Sequence, residues 1–503
     1  MSTTNNDKSN NNNDNDTDKN VVTFNKEMDR QIVEGTEGYV SIRGKANLAL
    51  PMAYLKDFFQ CLQDVCHPET NPYGYIPLAV AENKLVTTML QTRLNTTRTA
   101  QAGYGDDSMD VYSYGSTLGL SVLKQAVAKI FQKRFLLTLD RTDDDNSSQF
   151  VVNPDHIVVG AGAISILNNL FYALGNAGDA VLIPAPYYAA FDNDLRAYAG
   201  CVAVPVQCQD ATRGPTPDDL ERAKIHAETT LGLHVRFLLL THPHNPLGVV
   251  YTPQVMRDAI MWSRSHQLDS VVDEIYALSV FDTTDSVPTF ESVLKLYQND
   301  LGNDLHLVWG MSKDFAASGF RIGFAYTQNE LLLEALGNLN GFAWVSHPMQ
   351  RMMADLLQDE TFCDSFLNES RQRLQKSYNI CTSVFEDCKI PYVKAQAGMF
   401  VYLDLSDICK TVEDEALLSK IFMTRARMVV TPGTTQHDPN PGRFRICYAY
   451  VSPEVLKIGM ERFKEVVTII RKEGSLNGDW VEDDSKWKGI LQLSLTGTKH
   501  GRD

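Results

Sequence analysis

Ser312 and Lys313 lie side by side in GMSKDFAASGFRIG (310 to 323), with Arg321 eight residues beyond the lysine. A lysine after an apolar run is usually a solvated charge, but a hydroxyl before it and a guanidinium after it make that a poor account here. A neutral lysine amine attacks carbonyl carbon, and a guanidinium fork matches phosphate oxygens better than a point charge does. Asp273 closes the apolar run of VVDEIY (271 to 276), where an unpaired carboxylate is costly and calls for a cationic partner; Tyr276 follows three residues on. Asn245 sits in THPHNPLG (241 to 248), although Asn-Pro by itself is most often a turn, and Arg445 in PGRFRIC (441 to 447) has Arg443 as a solvated alternative nearby. The glycines of VVGAGAISILNNLFYAL end an apolar run and open a helical one, placing the N-H groups of Gly162, Ala163 and Ile164 where an anion binds well. A dinucleotide fingerprint would need glycine at position 165, which is Ser165, so a nicotinamide site is disfavoured and a plain tight turn stays open.

These groups need a scaffold. HIVVGA, AVLIP, RFLLLT, SVVDE, LHLVWG and RIGFAYT, between residues 155 and 330, read as strands alternating with amphipathic stretches, the pattern of a largely parallel sheet covered by helices. Helical periodicity runs over 121 to 135, and Ile164, Leu167, Leu170, Phe171 and Leu174 share one helix face. Thr92 to Ser113 and Asp140 to Gln149 read as polar loops. After residue 340 long helices precede two strands, GMFVYLDL and RFRICYAY, which suggests a smaller α+β domain. The expected division is an Asn/Asp-rich disordered tail (1 to 20), an N-terminal arm with part of the small domain (21 to 75), a large domain (76 to 340), a small domain (341 to 470) and a charged extension (471 to 503).

With Asn245, Asp273-x-x-Tyr276, Ser312-Lys313, Arg321 and the distal Arg445 in that order, the chain resembles the aspartate-aminotransferase-like superfamily of pyridoxal-5'-phosphate enzymes. The resemblance implies the α/β PLP-dependent transferase fold (fold type I), with a large and a small domain. It also implies that Lys313 bonds to the cofactor aldehyde and later moves a proton, and that Asp273 holds the protonated pyridine nitrogen so that the ring draws electrons from the substrate Cα. By the same resemblance Tyr276 and Asn245 donate to the ring 3-oxygen, Ser312, Arg321 and the Gly162 turn hold the phosphate, and Arg445 grips the substrate carboxylate. Tyr188 in PAPYYAAF (184 to 191) would stack on the ring, though an aromatic there could be plain core. Tyr114, five residues before Gly119, would reach the phosphate of a neighbouring subunit, which makes the expected enzyme a homodimer.

LAVAENKL (78 to 85), PYYAAFDNDLRAYAG (186 to 200), DEIYALSVF (273 to 281) and GMFVYLDL (398 to 405) narrow the resemblance to 1-aminocyclopropane-1-carboxylate (ACC) synthase and ACC-synthase-like proteins, over about residues 40 to 470. It implies a small-molecule amino-acid substrate, S-adenosylmethionine, converted to ACC and methylthioadenosine, with Glu82 near the sulfonium cation. The family's Tyr-His-Gly reads Thr117-Leu118-Gly119 here, its Tyr-Tyr-Pro reads Tyr187-Tyr188-Ala189, and the phosphate turn has Ile164 and Ser165 where a threonine is usual. An aminotransferase passing an amino group between an amino acid and a 2-oxo acid therefore stays open, as does a PLP-binding paralogue with little catalysis.

Composition excludes other classes. With 46 Lys+Arg against 62 Asp+Glu the formal charge is -16, and no basic run could track nucleic-acid phosphates. Nine cysteines with no C-x-x-C pair suggest neither zinc nor a disulfide framework, and no metal site is expected. No apolar run approaches a membrane span and the first twenty residues lack an apolar leader, so the expectation is a cytoplasmic protein.

Overall fold

In the computed structural model the six apolar runs expected as strands are strands, and a seventh joins them. The structure describes residues 42–45, 47–48, 52, 54–97, 111–136, 151–284, 287–476, 478, 481–485, 487 and 490. Residues 1 to 51 and 52 to 503 form separate compact units, and the first contributes one helical turn, Ile42–Lys45. The expected disordered tail and the 140 to 149 loop lie outside the described residues.

The main sheet comprises β1 (Ile157–Gly160), β2 (Ala180–Ala185), β3 (Val202–Gln207), β4 (Val235–Thr241), β5 (Asp269–Asp273), β6 (Leu305–Gly310) and β7 (Gly323–Tyr326), in the spatial order β1-β7-β6-β5-β4-β2-β3. The pairs β2–β3, β2–β4, β4–β5 and β5–β6 are parallel, and β7 alone runs against its neighbours β1 and β6. Helices cover both faces, so strands such as β2 and β6 are buried along their whole length and their sequences read as unbroken apolar runs. The edge strand β3 escaped the sequence reading because its two end residues, Val202 and Gln207, are exposed and its VAVPVQ pattern carries a proline.

Helix α1 (Ser121–Phe131) matches its periodicity and continues into one wider turn, Gln132–Leu136. Helix α2 (Ala163–Leu174) buries Leu167, Leu170 and Phe171 as expected, but Ile164 is 40% exposed, because its side of the first turn borders a cavity rather than the core. Thr92 to Leu94, expected in a loop, are the end of a helix, Thr87–Leu94, whose Leu90 and Leu94 are buried.

A three-stranded antiparallel sheet, β8 (Phe400–Asp404), β9 (Thr431–Pro432) and β10 (Arg443–Cys447) with β10 central, packs with the long helices α3 (Glu360–Asp387) and α4 (Pro453–Glu473) around a second core. Phe58, Ile76 and Leu78 from before the main sheet join that core, and Ile76–Pro77 pairs in parallel with Met428–Val429. The charged extension contributes as well: Leu476, Trp487 and Ile490 are buried there, while Arg425 pairs with Glu482 and Asp484. Among the described residues, no helix is long and apolar enough to cross a membrane.

Candidate functional site

Parallel sheets bind ligands at the carboxyl ends of their strands, and the expected residues arrive there one strand at a time. Gly162 and Ala163 follow β1, Tyr188 follows β2, Asn245 follows β4, Asp273 is the last residue of β5, and Ser312 and Lys313 follow β6. Arg321 comes before β7 rather than after it. Because β7 is antiparallel, with Gly323 opposite both Gly160 and Gly310, its first residue sits at that same edge. Arg445 comes from β10 of the other sheet.

Ala163, Ile164, Tyr188, Asn245, Asp273, Tyr276, Ser312, Lys313, Arg321 and Arg445 all line one cavity of about 340 Å³. That is within the usual size of a small-molecule site. Position along β10 settles the choice between the two arginines, which stand two residues apart and so on the same face of the strand. Arg445 is 2% exposed and faces the cavity, whereas Arg443 pairs with Asp404 on β8.

Lys313 sits deep in the protein body and its Nζ donates to the Ala81 carbonyl. Loss of water there pulls the ammonium down to about 8, with Arg445 adding to the depression while Cys447, Glu82 and Asp273 oppose it. Asp273 is buried; desolvation pushes its carboxyl up to about 7, against the Ile275 N-H (3.1 Å from Oδ1) and Lys313, which pull it down. Burial lifts the Tyr276 phenol well above its ordinary value, so its hydroxyl remains a donor at neutral pH. Arg445 donates from Nη1 to Asn245 Oδ1 (3.0 Å) and from Nη2 to the Ala79 carbonyl (2.8 Å) and Thr431 Oγ1 (3.3 Å). Its Nε has no partner, and no carboxylate lies within ion-pair range of it among the described residues. A buried cation without an acid is an incomplete arrangement that an anion would complete.

The turn after β1 is shaped by backbone. Gly162 adopts φ 89°, and a Cβ there would come within 2.6 Å of Arg321 Nη2. Arg321 itself is left-handed at φ 53°, an uncommon conformation for a side-chain-bearing residue and one held by surrounding structure. Gly162→Ala therefore strains the turn and pushes the guanidinium aside. We expect cofactor or phosphate affinity to fall about 10-fold or more, measured by fluorescence titration; unchanged affinity would mean the turn holds no anion.

Next to the lysine, Asp314 is buried, and its carboxylate accepts from the Ser279 hydroxyl, Trp309 Nε1 (2.9 Å) and the Leu278 N-H (3.1 Å).

Three expected residues do not line this cavity: Gly162, whose neighbour Ala163 does, and Glu82 and Tyr114. Glu82 is half-buried beside it, already accepting from the Ser318 hydroxyl and 3.6 Å from Lys84 Nζ. Tyr114 is 96% exposed and packs against Trp344 with ring centroids 5.9 Å apart. Sequence reasoning in turn missed Tyr54 and Asp194, which do line the cavity. Asp194 lay within a quoted motif, but nothing in FDNDL marks which acid turns inward. Its Oδ2 is sealed from water with no partner, and desolvation pushes the carboxyl up to about 7.

Asp194 has a measurable consequence. Since its folded value exceeds the unfolded one, folding holds its proton more tightly and stability drains away as pH rises from about 4 to 7. Asp194→Asn should gain on the order of 1–3 kcal/mol over the parent at pH 8 and nothing at pH 4. Thermal melts at both pH values check this; an equal difference at the two would remove the explanation. Among the described residues no cluster of His, Cys, Asp and Glu is placed to hold a metal.

Residues 76–463 match the family model "Aminotransferase class I and II". An "ACC synthase-like protein 1" of Arabidopsis thaliana, in full 1-aminocyclopropane-1-carboxylate synthase-like protein 1, is 30% identical over 80% of this chain and 80% of its own. A 1-aminocyclopropane-1-carboxylate synthase of Nicotiana tabacum is 28% identical over 86% of this chain and 87% of its own. Among solved structures, a double mutant of Thermus thermophilus aspartate aminotransferase superposes with TM-score 0.64 at 22% identity, covering 86% of this chain and all of that one.

Proposed function

Because this chain belongs to the class I and II aminotransferase family, a PLP-dependent enzyme of the lyase or aminotransferase kind, we propose that it acts on an amino acid as an ACC synthase does, converting S-adenosylmethionine to ACC and methylthioadenosine. Its cofactor is pyridoxal 5'-phosphate, and the residues fit it. A glycine cradle and an arginine suit the phosphate, a buried carboxylate suits the cationic ring nitrogen, and a desolvated amine suits the aldehyde. When bound, the cofactor supplies that aldehyde and a ring that withdraws electrons from the substrate Cα.

The chain's own groups divide the remaining work. Asp273 holds the proton on the ring nitrogen, and Tyr276 and Asn245 donate toward the ring oxygen. Ser312, Arg321 and the N-H groups of Gly162, Ala163 and Ile164 anchor the phosphate, while Tyr188 covers the ring. Arg445 binds the substrate carboxylate through the fork whose Nε is unpartnered, and Lys313 removes and returns the Cα proton. In this reading the protein is a cytoplasmic homodimer, with Tyr114 exposed so as to reach a neighbouring subunit, and the large and small domains divide near residue 340.

The observation that carries the reading is the buried, acid-free Arg445 sharing one cavity with Lys313 and Asp273, which supports an amino-acid substrate. The named relatives support the finer reaction. One observation favours an aminotransferase instead: Glu82, expected beside the sulfonium, is engaged by Ser318 and Lys84. Mass spectrometry after incubating the PLP-loaded protein with S-adenosylmethionine decides between them. Equal amounts of ACC and methylthioadenosine are expected; neither product, with amino transfer to a 2-oxo acid, establishes the second reading.

A further inference from the structure

The loop that carries Tyr188 is closed by a contact outside the cavity. Tyr187 is 1% exposed, and its hydroxyl donates to Asp192 Oδ1 at 2.8 Å. Asp192 Oδ2 lies 2.6 Å from His437 Nε2, and the His437 ring stacks on the Tyr187 ring with centroids 4.6 Å apart and planes 25° apart. The three side chains thus form a closed cycle, reinforced by the Tyr187 N-H donating to the Gln436 carbonyl at 2.9 Å. His437 stands at φ 61°, a left-handed conformation that aims its ring back at the loop.

The same cycle reaches the second sheet. Asp438, next to His437, accepts from the Tyr402 hydroxyl at 2.8 Å, and Tyr402 is the register partner of Arg445 on β10. Tyr188 is held by an edge contact to Phe191 (5.3 Å) and the Phe191 N-H donating to its carbonyl (3.0 Å). Its plane therefore depends on the two residues clamped on either side of it, Tyr187 and Asp192.

We propose that His437 is a positioning residue that fixes the plane of Tyr188 through Tyr187 and Asp192 and ties it to the strand bearing Arg445. This rests on the roles proposed above for Tyr188 and Arg445. The clamp sets the angle of the aromatic plate against the cofactor and its offset from the carboxylate-binding arginine, so that losing the clamp misplaces ring and substrate together.

The test uses His437→Phe, which keeps the stacked ring but loses the bond to Asp192, with His437→Gln, which restores a donor, and Asp192→Asn as a second route should His437→Phe fold poorly. The holoenzyme's visible circular-dichroism band reports the cofactor's asymmetric surroundings. It is expected to lose half or more of its amplitude in His437→Phe while bound cofactor and melting temperature stay close to the parent. The KM for the amino-acid substrate should rise and kcat/KM fall about 10- to 100-fold, the effect of a small misplacement remote from the chemistry. His437→Gln should recover part of both. Tyr188→Ala runs alongside. If it loses the band and His437→Phe keeps the band and KM of the parent, the positioning role is wrong. If Tyr188→Ala itself keeps the band, the role assigned to Tyr188 is wrong, and the inference falls with it.

Discussion

Lys313→Ala is expected to abolish the visible absorbance change that accompanies cofactor capture and to cut turnover by about 10²–10⁴-fold, the usual contribution of a positioned acid-base group, or further if the covalent attachment is itself required. The side chain lines the cavity wall, and desolvation there holds its ammonium down to about 8, so a useful fraction is neutral near pH 7.5. Only the neutral amine attacks. Capture of free cofactor by the apoprotein should therefore speed up about tenfold from pH 6 to pH 7, since each pH unit below the pKa changes the neutral fraction by that factor, and level off above about 8. Stopped-flow absorbance across that range checks the sign and the break point. Turnover undiminished in Lys313→Ala would falsify the assignment outright, and a rate independent of pH would place the amine in a different environment.

Asp273→Asn is the second large effect. Removing one partner of a buried charge pair costs about 3–5 kcal/mol, so cofactor affinity should fall on the order of 10²–10⁴-fold. Its pH dependence has a definite direction. In the protein without cofactor, burial pushes Asp273 up to about 7, so below that value the carboxyl holds its own proton and cannot neutralise a cationic ring nitrogen. Parent affinity should weaken as pH drops below 7, and the Asn variant should be nearly flat over the same range. Equilibrium titrations at pH 5.5 and 8 measure both. Parallel slopes for the two proteins would move the titrating group elsewhere.

What could be seen in the sequence follows from where each residue stands on its strand. Asp273, Lys313 and Asn245 end or follow apolar runs, and in a parallel sheet all such ends meet at one edge, so order along the chain already implied proximity. Arg321 was singled out by its type and its spacing from Lys313, but its arrival at that edge depends on β7 running backwards, which the sequence does not reveal. Asp194, Tyr54 and His437 left no signal. Each reaches its partners across elements distant in sequence or through a helix turn whose facing side is fixed by packing. Ile164 shows the converse, an apolar residue at the right period for the core that instead borders the cavity, while Ile166 in the same turn is the one buried. The charged extension misled by average polarity: Trp487 stands between two lysines and follows a run of acids, yet it and Ile490 are buried.

Asp314 deserves a last consideration beside its neighbour. Three donors pin its carboxylate, one of them from the indole of Trp309 on β6, and together they moor the main chain at Lys313 from behind. The lysine is thereby a four-carbon tether on a fixed post. Each catalytic cycle in a covalent scheme must release the amine and later take it back, and a tether of that length confines the released amine to a volume scarcely larger than the cavity. Recapture then competes with departure of the cofactor as an intramolecular event, whose effective concentration far exceeds any concentration attainable in solution. On the role proposed for Lys313, the protein would let go of its cofactor at every turnover without losing it.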